Sequence, residues 1–116
     1  MEYVSNIFSA LSDPIRLRCL ALMAMEGEVC VCELTHALQA AQPKISKHLA
    51  ALREVGLVRD RRDAQWVLYA IAQDLPDWTT QAVEAAVRGA TASAIHAGDA
   101  ARLASMAGRP SRSRCA

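Results

Sequence analysis

Aromatic side chains are scarce in this chain: two tryptophans, two tyrosines and one phenylalanine make up 4% of its 116 residues. With apolar residues at 53% and alanine abundant, that scarcity argues against an aromatic-filled sheet sandwich and for close-packed helices. No apolar run approaches the ~18 residues that a membrane span needs. The opening MEYVSNIFSALSDP lacks the basic flank and long apolar stretch of a secretion signal, so a cytoplasmic protein is expected. Cysteine is sparse too. Four cysteines in a reducing compartment read as thiols, ligands or sensors before structural disulfides. Net charge is almost absent, at +1, which excludes a strongly basic or acidic chain as a whole. At this length one domain is expected, near the size at which dimerisation adds useful buried surface.

The charge that is present is unevenly placed. Between Lys44 and Arg62 lie six basic side chains, Lys44, Lys47, Arg53, Arg59, Arg61 and Arg62, against two acidic ones, Glu54 and Asp60. Such a local basic face suits phosphate binding, although a solvated surface would look the same in isolation.

Apolar spacing sets out the elements around it. Val4, Ile7, Phe8 and Leu11 recur at helical spacing over 3–11. Asp13 can cap a second helix, Pro14 suits its first turn, Leu17, Leu20, Ala21 and Ala24 mark its inward stripe, and Gly27 stops it. A short helix is predicted over 33–39. After a turn, Pro43 opens another helix, with Ile45, Leu49 and Leu52 inward and Gly56 at its end. The period then shortens. Residues 57–62 and 65–71 read as a hairpin joined at Asp63-Ala64. A last helix is predicted from Pro76 to about 95, bearing a small-residue face of Ala82, Ala85, Ala86 and Gly89 beside Trp78, fit for a dimer partner. The expected domain spans 1–96, with 97–116 a flexible tail.

The sum is mostly α with a β-hairpin, in the order α-α-α-α-β-β-α: a winged helix-turn-helix, expected as a homodimer. In that arrangement the helix beginning at Pro43 enters the major groove. Gln42, Lys44, Ser46, Lys47 and His48 would reach base edges and phosphates, while Arg59, Arg61 and Arg62 of the wing meet the backbone. Double-stranded operator DNA is the expected partner.

The run VCVCELTHALQAAQPKISKHLAALREVGLVRDRRDAQWVLYAI, with LSDPIRLR at 11–18 ahead of it, resembles the arsenical-resistance repressors of the ArsR/SmtB family. The resemblance covers most of residues 3–93. It implies a winged-helix dimer that represses transcription and leaves its operator when a metal or metalloid binds, with no catalytic residues and no required cofactor. It is silent on 97–116.

Cys30 and Cys32 then become candidate ligands. Trivalent arsenic and antimony are soft and bind thiolates, typically three, so arsenite or antimonite is the expected effector. A disulfide between residues so close in sequence should be strained, which counts against a stable bridge. In a regular helix the two side chains would point about 200° apart, so binding should hold or drive residues 30–32 out of helical form. The third ligand stays open. Many relatives resemble CVCDLC, but Thr35 stands at that third cysteine position here, His36 is a harder donor, and Cys19 lies on an apolar stripe. Cys115, on the expected tail, is the freer candidate, from either subunit.

Two other readings are weighed. Zinc-sensing relatives carry Asp and His ligands on the last helix, where this chain has Asp77, then Thr79, and only His96 nearby; cadmium sensors usually add cysteines before the position of Cys19. A small thiol enzyme such as an arsenate reductase would need a phosphate-cradling loop or a resolving cysteine at useful spacing, and the sequence displays neither.

Overall fold

The computed structural model describes residues 1–110. Its elements are α1 (Glu2–Ala10), α2 (Pro14–Glu26), β1 (Val29–Cys30), α3 (Val31–Leu38), α4 (Gln42–Glu54), β2 (Val58–Asp63), β3 (Trp66–Ile71), α5 (Asp77–Thr91) and α6 (Ala94–Ala104). Local chemistry explains most boundaries. The Asp13 carboxylate accepts from the Arg16 N–H at 3.1 Å, Pro14 occupies the first turn of α2, and Gly27 leaves it at φ +86°. Gly56, at φ +83°, performs the same reversal after α4, so that the Leu57 N–H returns to the Leu52 carbonyl at 3.0 Å.

One core joins the helices and the sheet. Ile7, Leu20, Leu22, Leu34, Ile45, Leu49, Leu52, Leu57 and Leu103 are at most 1% exposed. Each such side chain contributes about 1.5–3 kcal/mol through removal from water. Leu34 of α3 and Ile45, Leu49 and Leu52 of α4 form the seam of the helix-turn-helix, as their spacing predicts.

Two expectations need correction. The hairpin is joined by a third strand, giving the antiparallel order β1-β3-β2, with Val29 opposite Tyr69 and Cys30 opposite Leu68. Two residues are too short to show alternation, and pairing with β3 makes them a strand. The helix predicted to reach about 95 instead ends at Thr91: Ser93 caps a new helix by accepting from the His96 N–H at 3.2 Å. The boundary set at 96 therefore falls inside α6. Burial of Leu103 and Asp99 holds this helix against the domain, although its composition resembles a tail.

Candidate nucleic-acid interface and cysteine centre

The first turn of α4 projects from the domain. Gln42, Lys44, Ser46 and Lys47 are exposed, while Ile45 between them is fully buried, so α4 is anchored by one face and open on the other. His48 departs from the predicted set. Its side chain is only 16% exposed, with Nδ1 3.7 Å from Asp13 Oδ2, so it turns toward the start of α2 rather than standing with the other four.

The wing arginines also divide. Arg59 donates to both oxygens of Asp74, at 2.9 and 2.8 Å, and that hydrogen bonding holds the Asp74 carboxyl below its ordinary pKa. Arg61 makes a two-pronged contact with Glu28, so the wing is tied to the segment that precedes β1. Among the described residues, Arg62, Lys44 and Lys47 form no ion pair, and all three are exposed. Unpaired exposed cations are the ones that bind phosphate without first giving up an internal partner.

The cysteine pair lies where β1 turns into α3. Cys30 is the residue before the helix, in extended conformation at φ −95° and ψ 164°, and Cys32 is in the first helical turn. The 200° divergence expected in a regular helix therefore does not arise. The structure joins the two as a disulfide, with Cα atoms 5.4 Å apart, against the expectation that their closeness in sequence disfavours a bridge. The extended cap residue is the physical reason: it swings the Cys30 side chain toward Cys32. In a reducing compartment the same backbone presents two converging thiols. Cys30 is 2% exposed and Cys32 is exposed, so one sulfur sits against the core and the other faces solvent.

Glu33 completes this corner, and sequence reasoning did not single it out. Its N–H donates to Cys30 Sγ at 3.4 Å, and its Oε1 accepts from the Cys30 N–H at 2.9 Å. This is a capping box with cysteine in the usual serine position; C-x-x-E at 30–33 was the available signal. Glu33 is fully buried, and its other oxygen accepts from Arg109 Nε at 2.6 Å. Arg109 Nη2 also donates to Glu26 at 2.6 Å, and these carboxylates, Glu26 first, raise the guanidinium pKa above its ordinary value.

The far end of α3 is held by a second charged cluster. Fully buried Asp99 of α6 accepts from Arg18 at 2.9 Å through each oxygen and from Arg102 at 2.8 Å. The two arginines donate onward, Arg18 to the Leu38 carbonyl at 3.2 Å and Arg102 to the Ala37 carbonyl at 2.6 Å. These are the unsatisfied carbonyls of a helix terminus, and cations suit that end of the helix dipole. Nothing local in the sequence announces a contact between residues 18 and 99.

The remaining donors are placed as follows. The Thr35 hydroxyl donates to the Cys32 carbonyl at 2.9 Å, and His36 is exposed. Cys19 is fully buried, and burial pushes its thiol pKa up to about 12, as befits a packing residue. Among the described residues, no group of three or more His, Cys, Asp or Glu is arranged to hold a metal ion. Cys115 lies outside the described residues.

Comparison with known proteins agrees with this geometry. Residues 13–60 match the model of the bacterial regulatory protein, arsR family. The chain is 48% identical over 106 residues to the arsenic resistance transcriptional regulator ArsR1 of Pseudomonas putida, covering 90% of this chain and 80% of that protein. Among solved structures, HlyU from Vibrio cholerae superposes with a TM-score of 0.65 at 30% identity, over 75% of this chain and 90% of that one. The AntR antimony-specific transcriptional repressor superposes with a TM-score of 0.60 at 25% identity, over 73% of this chain and 74% of that one. The winged helix-turn-helix is the shared fold, the chain is a DNA-binding transcriptional regulator rather than an enzyme, and it belongs to the arsR family of bacterial regulatory proteins.

Proposed function

We propose that this protein is a cytoplasmic, metalloid-responsive repressor that binds operator DNA as a homodimer and is released when trivalent arsenic or antimony binds the thiolates of Cys30 and Cys32. The observation that carries this reading is the convergence of two cysteines on the capping residue of the first helix of the helix-turn-helix. The relatives named for arsenic resistance and for antimony support the choice of effector. So does the chemistry, because a close thiolate pair is a soft ligand that a hard cation has no reason to prefer.

Gln42, Lys44, Ser46 and Lys47 form the groove-reading surface in this account, with Arg62 as the wing's freest phosphate contact. Arg59 and Arg61 exchange their internal carboxylate partners for DNA phosphates at a smaller net gain. His48 contributes once it leaves Asp13. Dimerisation is supported by an exposed aromatic patch on α1 and α5: Phe8, 54% exposed, stacks on Trp78 at 6.4 Å, and Tyr3 meets Trp78 edge-on at 5.7 Å. Large rings left in water on a small domain mark an association surface.

Release follows from the cap. A metalloid held between Cys30 and Cys32 spreads their sulfurs farther apart than the direct bond does, which shifts Cys30 Sγ away from the Glu33 N–H, and loss of a helix cap costs about 1 kcal/mol. The same residue is paired with Leu68 of the wing, so the disturbance reaches both DNA-contacting elements. A hundredfold preference of the effector for the released state would supply ~2.7 kcal/mol of coupling. Cys115, the freer candidate for the third ligand, lies outside the described residues.

Zinc or cadmium sensing is the second reading within the family. Fluorescence anisotropy on the protein's own upstream DNA, titrated separately with arsenite, antimonite, zinc and cadmium, separates the two. Release by the trivalent metalloids alone is expected; release by zinc or cadmium at lower concentration would overturn the proposal.

A further inference from the structure

The two sulfurs at the start of α3 are unequally placed. Cys32 is exposed in the first helical turn, whereas Cys30 is 2% exposed and sits behind it as the cap, with Sγ accepting from the Glu33 N–H at 3.4 Å. Their Cα atoms, 5.4 Å apart, lie within the roughly 4.4–6.8 Å that a disulfide spans. With the pair joined, the capping box stands complete around it, Glu33 Oε1 still accepting from the Cys30 N–H at 2.9 Å, and Cys30 still pairs with Leu68 of the wing. The bridge disturbs neither. Resting on the metalloid reading above, we propose that Cys30 and Cys32 are also an oxidation site for hydroperoxides, and that their disulfide keeps the repressor on its operator while making it unresponsive to metalloid.

The chemistry divides between an exposed attacker and a buried resolver. The Cys32 thiolate attacks the hydroperoxide, forming an S–O bond as the O–O bond breaks and an alcohol, or water from hydrogen peroxide, departs. Cys30 then attacks the sulfenic sulfur, the S–S bond forms, and hydroxide leaves to take up a proton as water. Two thiols and one hydroperoxide give one disulfide, one alcohol and one water. The extended cap conformation makes a resolving thiol of a residue whose sequence spacing argues against one, and its nearness captures the sulfenic acid before further oxidation. Cys19 is fully buried in the core and has no path to the oxidant. The functional consequence follows from the sulfurs. A disulfide offers no thiolate to arsenic, yet leaves in place the cap whose loss releases the operator.

The test treats the purified, fully reduced full-length protein with hydrogen peroxide, removes the oxidant by gel filtration, and reads both chemistry and DNA binding. Cleavage after glutamate releases the fragment VCVCE, residues 29–33, which should be lighter by two hydrogens after peroxide. By fluorescence anisotropy on the protein's own upstream DNA, the oxidised protein should bind within about twofold of the reduced one, well short of the roughly fivefold loss that a missing cap would cause. Arsenite that releases the reduced protein should leave the oxidised one bound. Reduction with a dithiol, followed by its removal, should restore release. A fragment 29–33 left reduced by peroxide, an oxidised protein that arsenite still releases, or oxidation that by itself frees the operator would each overturn the proposal while leaving metalloid sensing by the reduced pair intact. A reduced protein that arsenite fails to release would instead overturn the metalloid reading, and with it the regulatory half of the proposal, while the fragment still decides whether the pair oxidises.

Discussion

The two helices of the helix-turn-helix are held in opposite ways. α3 has eight residues and polar anchors from distant chain at both ends: Glu33 to Arg109 at the start, and the Ala37 and Leu38 carbonyls to Arg102 and Arg18 at the finish. α4 has thirteen residues, no side-chain cap, an exposed first turn, and an apolar seam of Ile45, Leu49 and Leu52. Directional contacts fix α3 in place. Apolar packing, which has no preferred direction, lets α4 follow whatever α3 does. On the proposed reading, an effector need not touch α4, because a change at the cap of its neighbour is enough.

That contrast can be broken at either helix. The largest effect is expected at the cysteine pair. Cys30→Ser or Cys32→Ser should abolish arsenite release while operator binding persists, since serine is itself a good cap. Normal release in either variant, read by anisotropy, would remove the sensor from α3. Next in size is the clamp at the other end. Asp99→Asn removes the charge of a fully buried carboxylate between two part-exposed arginines and should cost about 1–3 kcal/mol in urea unfolding, because charge-assisted hydrogen bonds to both guanidiniums are lost. A loss below about 0.5 kcal/mol would mean that the cluster does not hold α3. On α4 the effect should move from stability to recognition. Ser46→Ala should shift discrimination among operator sequences by ~1–3 kcal/mol, and Lys47→Ala should lower the salt slope by about one unit, both with unchanged urea midpoints.

A smaller effect concerns the core beneath the clamp. The Cys19 thiol has a folded pKa of about 12 against 9.0 in the free residue, with burial the main cause and the nearby Arg18 opposing it. The folded state thus holds the proton more tightly. Stability from this group is complete below pH 9 and is lost as pH rises toward 12, at about 1.4 kcal/mol per unit. Unfolding free energies of the wild type and Cys19→Ala, compared between pH 9 and 12, should diverge with that slope. Parallel curves would place Cys19 in a wetter site.

Much of this architecture is legible in the sequence where one residue type dictates one local geometry. Pro14 and Pro43 open helices, Gly27 and Gly56 end them, and the leucines and isoleucines between them mark the core. Legibility fails where distant chain decides. Val29 and Cys30 become a strand only because β3 lies beside them. Residues 94–104 look like a tail because their alanines resemble one, and a buried carboxylate paired 81 residues away makes them a helix. Arg109 looks like any arginine in a basic C-terminus until Glu33 is seen to be buried beneath it. Conversely, the cysteine pair is visible in the sequence while its geometry is not, because cysteine is not among the usual helix-capping residues.

The central claim is that metalloid binding acts by taking the cap from α3. Amide hydrogen exchange at Glu33, whose N–H donates to Cys30 Sγ at 3.4 Å, reads that bond directly. In the reduced protein, arsenite should accelerate exchange at the Glu33 amide by about fivefold, the equivalent of a ~1 kcal/mol cap, with no such change in Cys30→Ser. Operator release with Glu33 exchange unaltered would contradict the account.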